Sequence, residues 1–177
     1  MARFILLLIL ISSVVLGGCY DMLEVEQRAF VAAIGIDLAE EKGKFDITFQ
    51  IANPEVGTTP AADAGGSEKP SDIVTITAND FVTAQNTANS FVTRNISLDH
   101  AGVLVVSEEL ARSGKLLNFM ESANRITELR RGVQIIVSRE NAKDFLEKNK
   151  PPMETRPHKY FQFIIQRAKE TGIVPEA

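Results

Sequence analysis

The sequence predicts a mixed α/β (α+β) fold: a mixed sheet containing a β-hairpin, helices packed on it, and a lipoprotein signal peptide ahead of it. Three observations carry this. Residues 30–53 hold two strand-like apolar runs around a Glu-Glu-Lys-Gly turn. From residue 72 onward, short β-branched runs alternate with segments whose apolar residues recur at helical spacing. Phe4 to Leu16 (FILLLILISSVVL) carries no charge, follows only Met1, Ala2 and Arg3, and leads into Gly17, Gly18 and Cys19.

The N-terminal run comes first. As a helix its thirteen residues would reach about 20 Å, whereas a bilayer core is about 30 Å thick. It is short for a permanent span and has the length of a signal-peptide core. Leu16-Gly17-Gly18-Cys19 resembles the bacterial lipobox. Small residues are needed before the cut because a peptidase cleft at the membrane surface must admit the backbone. In that reading residues 1–18 are removed and Cys19 becomes the new N-terminus. Its sulfur would carry a diacylglyceryl group, and its amine an N-acyl chain such as palmitate. Two or three chains suffice for stable anchoring, at about 0.8 kcal/mol per buried CH2. The competing reading is an uncleaved anchor with an incidental cysteine. The expected organisation is signal peptide 1–18, lipidated tether 19–29, and a single α/β domain over 30–177.

Phe30 to Asp37 (FVAAIGID) reads as a buried strand and Lys44 to Asn53 (KFDITFQIAN) as its hairpin partner. In the second strand Phe45, Ile47, Phe49 and Ile51 alternate with Asp46, Thr48 and Gln50, which predicts one wet face. Pro54 to Ser71 is rich in Gly, Pro, Ala, Ser and Thr without periodicity. It reads as a mobile loop, with a contact surface as the alternative. Asp72 to Ala78 is a strand by β-branched content. Asn79 is positioned to cap a helix through Arg94, with Phe81, Ala84, Ala88, Phe91 and Val92 as its apolar stripe. Val103 to Val106 is a third apolar strand, and Ser107 caps the helix ELARSG. A helix from Leu116 to Asn124 and a strand from Arg131 to Ser138 follow. A helix from Glu140 to Lys148, a break at Pro151-Pro152 and a last helix over Pro157 to Thr171 complete the order. Tyr160, Phe161, Ile164, Ile165 and Ala168 form the core stripe of that last helix.

The 177 residues are 45% hydrophobic and 24% charged, which excludes disordered, collagen-like and coiled-coil classes. One cysteine makes no internal disulfide, and with two histidines it builds no Cys/His zinc cage. A net charge of −4 argues against a nucleic-acid binder.

Ser97, Asp99 and His100 bring together triad residue types, but triads converge in space rather than in sequence, and no nucleophile elbow is present. His100 is expected to be a hydrogen-bonded structural residue. His158 lacks a second ligand at helical spacing. Ile34-Gly35-Ile36-Asp37 lacks the glycine run of a dinucleotide site. Glu40-Glu41 and Glu108-Glu109 read as solvated charge. Arg125, Arg130 and Arg131 cluster, with Glu121 and Glu128 interleaved. A salt-bridged helix-to-strand connection is the plain reading; a contact for an anionic partner is the functional one. The expectation is therefore no catalytic, metal-binding or cofactor-binding residue, and no enzyme.

The order of segments resembles a known family. Cys19-Tyr20-Asp21, then Glu24, Glu26 and a strand ending in Gly35-Ile36-Asp37, is similar to the spore germination C-subunit lipoproteins, the GerC family. The resemblance continues through FDITFQIANP (Phe45 to Pro54) and is clearest from His100 to Ser138. ENAKDFL and PPMETRP also fit. The resemblance implies a non-catalytic subunit of a germinant receptor. It would be lipid-anchored on the extracytoplasmic face of the spore inner membrane and act with integral-membrane A and B subunits in nutrient-triggered germination. It also implies that further α/β domains follow the N-terminal one in longer members, so this chain is expected to match the N-terminal domain only. The alternative is a general extracytoplasmic lipoprotein that binds a ligand or assists assembly.

Overall fold

The computed structural model describes residues 24–53, 71–126, 128–130, 132–149 and 157–172, with Arg3 alone ahead of them. Most of the expected loop from Pro54, and the break at Pro151-Pro152, lie outside the described residues. A single 3-10 turn, Val25–Gln27, leads into β1 (Arg28–Leu38). There follow β2 (Phe45–Ala52), β3 (Ser71–Ala78), α1 (Phe81–Phe91), β4 (Asn95–Ser97) and β5 (Val103–Ser107). The order continues with α2 (Glu108–Arg112), α3 (Leu116–Ala123), β6 (Gln134–Ser138), α4 (Ala142–Lys148) and α5 (Pro157–Glu170). The fold is thus the mixed α+β type that the sequence predicts.

The sheet runs β3-β2-β1-β5-β6, with β4 paired to β1. β1 divides it: β2 and β3 form an antiparallel half, and β5 and β6 a parallel one. The expected hairpin is β1–β2, closed at Gly43, whose φ of 91° suits glycine. The strand-helix-strand pattern appears as β5-α2-α3-β6, whose strands are parallel as such a crossover requires.

Both faces of the sheet are covered. Side chains alternate along a strand, so β5 sends Leu104 and Val106 to one face and Val103 and Val105 to the other. The larger core joins Ile34, Ile36, Ile47 and Phe49 to Phe81, Leu110 and Phe119 from α1, α2 and α3. Its aromatic rings meet edge to face: Phe45 on Phe119 at 5.0 Å, Phe49 on Phe81 at 5.8 Å and Phe81 on Phe119 at 5.9 Å. The smaller core joins Ala33, Val103 and Val105 to Ala142, Leu146 and Phe161 from α4 and α5.

Several expectations are corrected. The polar face of β2 is not wet: Thr48 and Gln50 are buried. Thr48 Oγ1 lies 3.0 Å from Thr75 Oγ1, and Gln50 Nε2 donates to Ser71 Oγ at 3.3 Å. The Thr48 hydroxyl and the Gln50 NH2 group thus find partners on β3, while Gln50 Oε1 is buried without a partner among the described residues. The cap of α1 is Asp80 rather than Asn79; its carboxylate accepts from the Thr83 N–H at 2.8 Å and the Thr83 hydroxyl at 2.9 Å. That helix stops at Phe91, because Val92 is extended, and Asn95–Ser97 then forms a short strand that the helical pattern concealed. Phe91 and Ile164, assigned to apolar stripes, are exposed. Phe161 is buried as expected, with Tyr160 edge-on at 5.4 Å. β6 begins at Gln134, after the connection carrying Arg130.

Candidate functional site

Leu16, Gly17, Gly18 and Cys19 lie outside the described residues, as does Arg131. No helix among the described residues is long and apolar enough to cross a membrane.

The two described arginines of the cluster sit on a pinned connection between α3 and β6. Ile126, Leu129 and Val133 pack against the larger core, so the backbone is anchored from below. The Arg125 N–H donates to Ser122 C=O at 3.2 Å, and Arg130 C=O accepts from the Val133 N–H at 3.1 Å. Both arginine side chains are exposed, and neither pairs with a carboxylate among the described residues. Among the described residues Glu128 accepts from Gln85 Nε2 at 3.3 Å rather than pairing with Arg125 or Arg130.

Ser97, Asp99 and His100 do not form a triad. The Ser97 hydroxyl donates to Asp99 Oδ2 at 3.0 Å, and Arg28 approaches the same oxygen at 3.5 Å. His100 meets Phe30 edge to face at 4.9 Å, and among the described residues this ring contact stands where a hydrogen bond was expected. Among the described residues no group of three or more His, Cys, Asp or Glu could hold a metal.

Gly35 and Asp37 have a structural role that local sequence did not disclose. Both belong to the β1 face that meets α4. A Cβ on Gly35 would stand 3.1 Å from Leu146 Cδ1, 3.2 Å from Ala142 Cβ and 3.3 Å from the Ala142 carbonyl carbon. The glycine lets the helix approach the sheet. Asp37, buried at 6% exposure, accepts the Ala142 N–H at 2.7 Å and the Lys143 N–H at 3.0 Å. It caps the first turn of α4, where Asn141 makes no side-chain capping bond.

An edge feature was also missed. Ile135 and Val137 of β6 are 50% and 56% exposed. Beside them a shallow groove runs between α2 and β6, lined by Glu108, Ala111, Arg112, Val137 and Arg139. The apolar run from Ile135 to Val137 between arginines was the available signal, but strand order alone tells which run lies at an edge.

These features define an α/β domain in which Asp37 and Gly35 seat a helix on the sheet and whose β6 edge is open among the described residues. The family model described as spore germination protein N-terminal domain matches residues 21–177, and the chain belongs to that family. Spore germination protein KC of Bacillus subtilis (strain 168) is 28% identical over 151 residues, 85% of this chain and 37% of the relative. Spore germination protein B3 of the same organism is 26% identical over 137 residues, 77% of this chain and 35% of the relative. The chain thus spans little more than a third of the length of these relatives. No solved structure matches it significantly.

Proposed function

We propose that the chain serves spore germination as a lipid-anchored, non-catalytic subunit of a germinant receptor, acting with A and B membrane subunits in the response to nutrients. The observation that carries this reading is the family match over residues 21–177, together with relatives named as spore germination proteins. The lipobox-like Leu16-Gly17-Gly18-Cys19 supports attachment through Cys19 to the extracytoplasmic face of the spore inner membrane. The covalent lipid is the one added group this reading needs. In this reading Arg125, Arg130 and Arg131 supply a contact to a partner subunit.

The test compares spores carrying the native chain with spores carrying Cys19→Ala. The expected result is loss of the chain from the membrane fraction, loss of co-purification with the A and B subunits, and impaired nutrient-triggered germination. Normal nutrient germination in a strain lacking this chain and its paralogues would overturn the reading. A small molecule bound tightly by the chain in the absence of A and B would favour a general ligand-binding lipoprotein instead.

A further inference from the structure

Among the described residues β6 pairs only with β5, so one edge of it is open. The Gln134 N–H donates to Gly102 C=O at 3.1 Å, which sets the parity of the strand. Backbone groups of Gln134 and Ile136 face β5, and those of Ile135 and Val137 therefore point outward. The side chains of the same two residues are the exposed ones. An open edge is ordinarily blunted by lysine, proline or a bulge within the strand. The strand QIIVS has no lysine or proline, and its pairing with β5 is unbroken.

Charge stands at its ends instead. Arg130 precedes the strand and Arg139 follows it; both are exposed and unpaired among the described residues. Two nearby carboxylates are neutralised by cations, Glu108 by Arg112 at 2.7 Å and Glu140 by Lys148 at 2.6 Å, while Glu128 is held by the Gln85 amide at 3.3 Å. On a chain of net charge −4, this edge is locally basic.

We propose that the β6 edge receives an extended acidic segment of a partner protein as an added strand. This rests on the reading of the arginine connection as a partner contact and extends it to Ile135, Val137 and Arg139. Main-chain bonds to Ile135 and Val137 supply the pairing, and alternate apolar residues of the incoming segment lie beside their side chains. Carboxylates flanking that segment meet Arg130 and Arg139. A second copy of this chain fits poorly. A symmetric pair of β6 edges is antiparallel, which sets Arg130 of each copy toward Arg139 of the other.

The probe is a short designed peptide with valine at alternate positions and glutamate between them, titrated against the purified full chain in detergent. Saturable binding is expected. The double variant Arg130→Gln/Arg139→Gln should weaken it by about tenfold or more, with an unchanged circular dichroism spectrum. N-methylation of the peptide's alternate amides should weaken it comparably, and a lysine-for-glutamate peptide should not bind. Undiminished binding of the N-methylated peptide would overturn strand addition while leaving the arginine contact standing. Binding indifferent to the arginine variants, or none at all, would overturn both. Dimerisation of the chain abolished by Val137→Lys would assign the edge to a second copy and overturn the proposal.

Discussion

The carboxylate of Asp37, near the end of β1, caps the helix that begins at Ala142, receiving its N–H at 2.7 Å across 105 residues of sequence. Two strand residues, Gly35 and Asp37, thus place one helix: the first by its missing side chain, the second by its oxygens.

Removing the cap should be costly because it strands two N–H donors, that of Ala142 in a buried position. Asp37→Ala is expected to destabilise the domain by about 1–3 kcal/mol, and Asp37→Asn by less, since an amide retains one acceptor. Urea unfolding followed by circular dichroism measures both; equal stability of native chain and alanine variant would refute the capping role.

Gly35→Ala should cost about 1–3 kcal/mol through overpacking. Leu146→Ala is expected to offset part of this, since the nearest atom to the new methyl is Leu146 Cδ1. The double variant should therefore be more stable than the two single costs add up to, leaving a coupling of about 0.5 kcal/mol or more. Strict additivity would mean that the resistance comes from Ala142, its Cβ and backbone together, and not from Leu146.

The aromatic residues at the two ends of α1 should behave oppositely. Phe81 is fully buried between Phe49 and Phe119, so Phe81→Ala should cost about 3–5 kcal/mol. Phe91, at 74% exposure, should tolerate serine within about 0.5 kcal/mol. Thermal melts of the two variants side by side decide the matter.

Lys148 is held above the ordinary lysine range, chiefly by its hydrogen bond to Glu140; desolvation opposes this, and the attraction of Glu140 and its bond and attraction to Asp144 add to it. A raised value in the folded state means that its contribution is fully present below the unfolded lysine value. It is lost as pH climbs through the raised one. The pair is exposed, so the effect is small. The difference in melting temperature between the native chain and Lys148→Met should stay flat through neutral pH and close only above about pH 10. A difference that changes between about pH 6 and 8 would point to another group.

Most of the architecture was readable from local pattern. Alternation in β2, β-branched content in β3 and β5, and Ser107 before Glu108-Glu109 each act through near neighbours. The misses share a cause. Asn79 and Asp80 are equally good caps on paper, and only the position of Thr83 relative to the helix start selects Asp80. Phe91 continues the spacing of Phe81, Ala84 and Ala88, yet the chain turns extended at Val92 and leaves it outside. Thr48 and Gln50 look solvated until their partners on β3 are known. Asp37 resembles a stray acid beside a glycine because its partners are more than a hundred residues away. For the candidate site, the arginine cluster was visible, but the Gln85 partner of Glu128 and the open strand that follows Arg130 among the described residues were not.

The central position of β1 sets a schedule for the chain. This strand emerges ahead of all its neighbours, and its parallel neighbour β5 and the helix it caps are made only much later along the chain. Until Ala142 and Leu146 exist, Ala33, Val103 and Val105 have no cover from α4, and Asp37 has no helix to hold. Such distant pairing slows folding and keeps apolar surface open while it waits. A nascent chain halted before residue 142 should therefore be open to protease along β1 and β5, and one halted well beyond it should not.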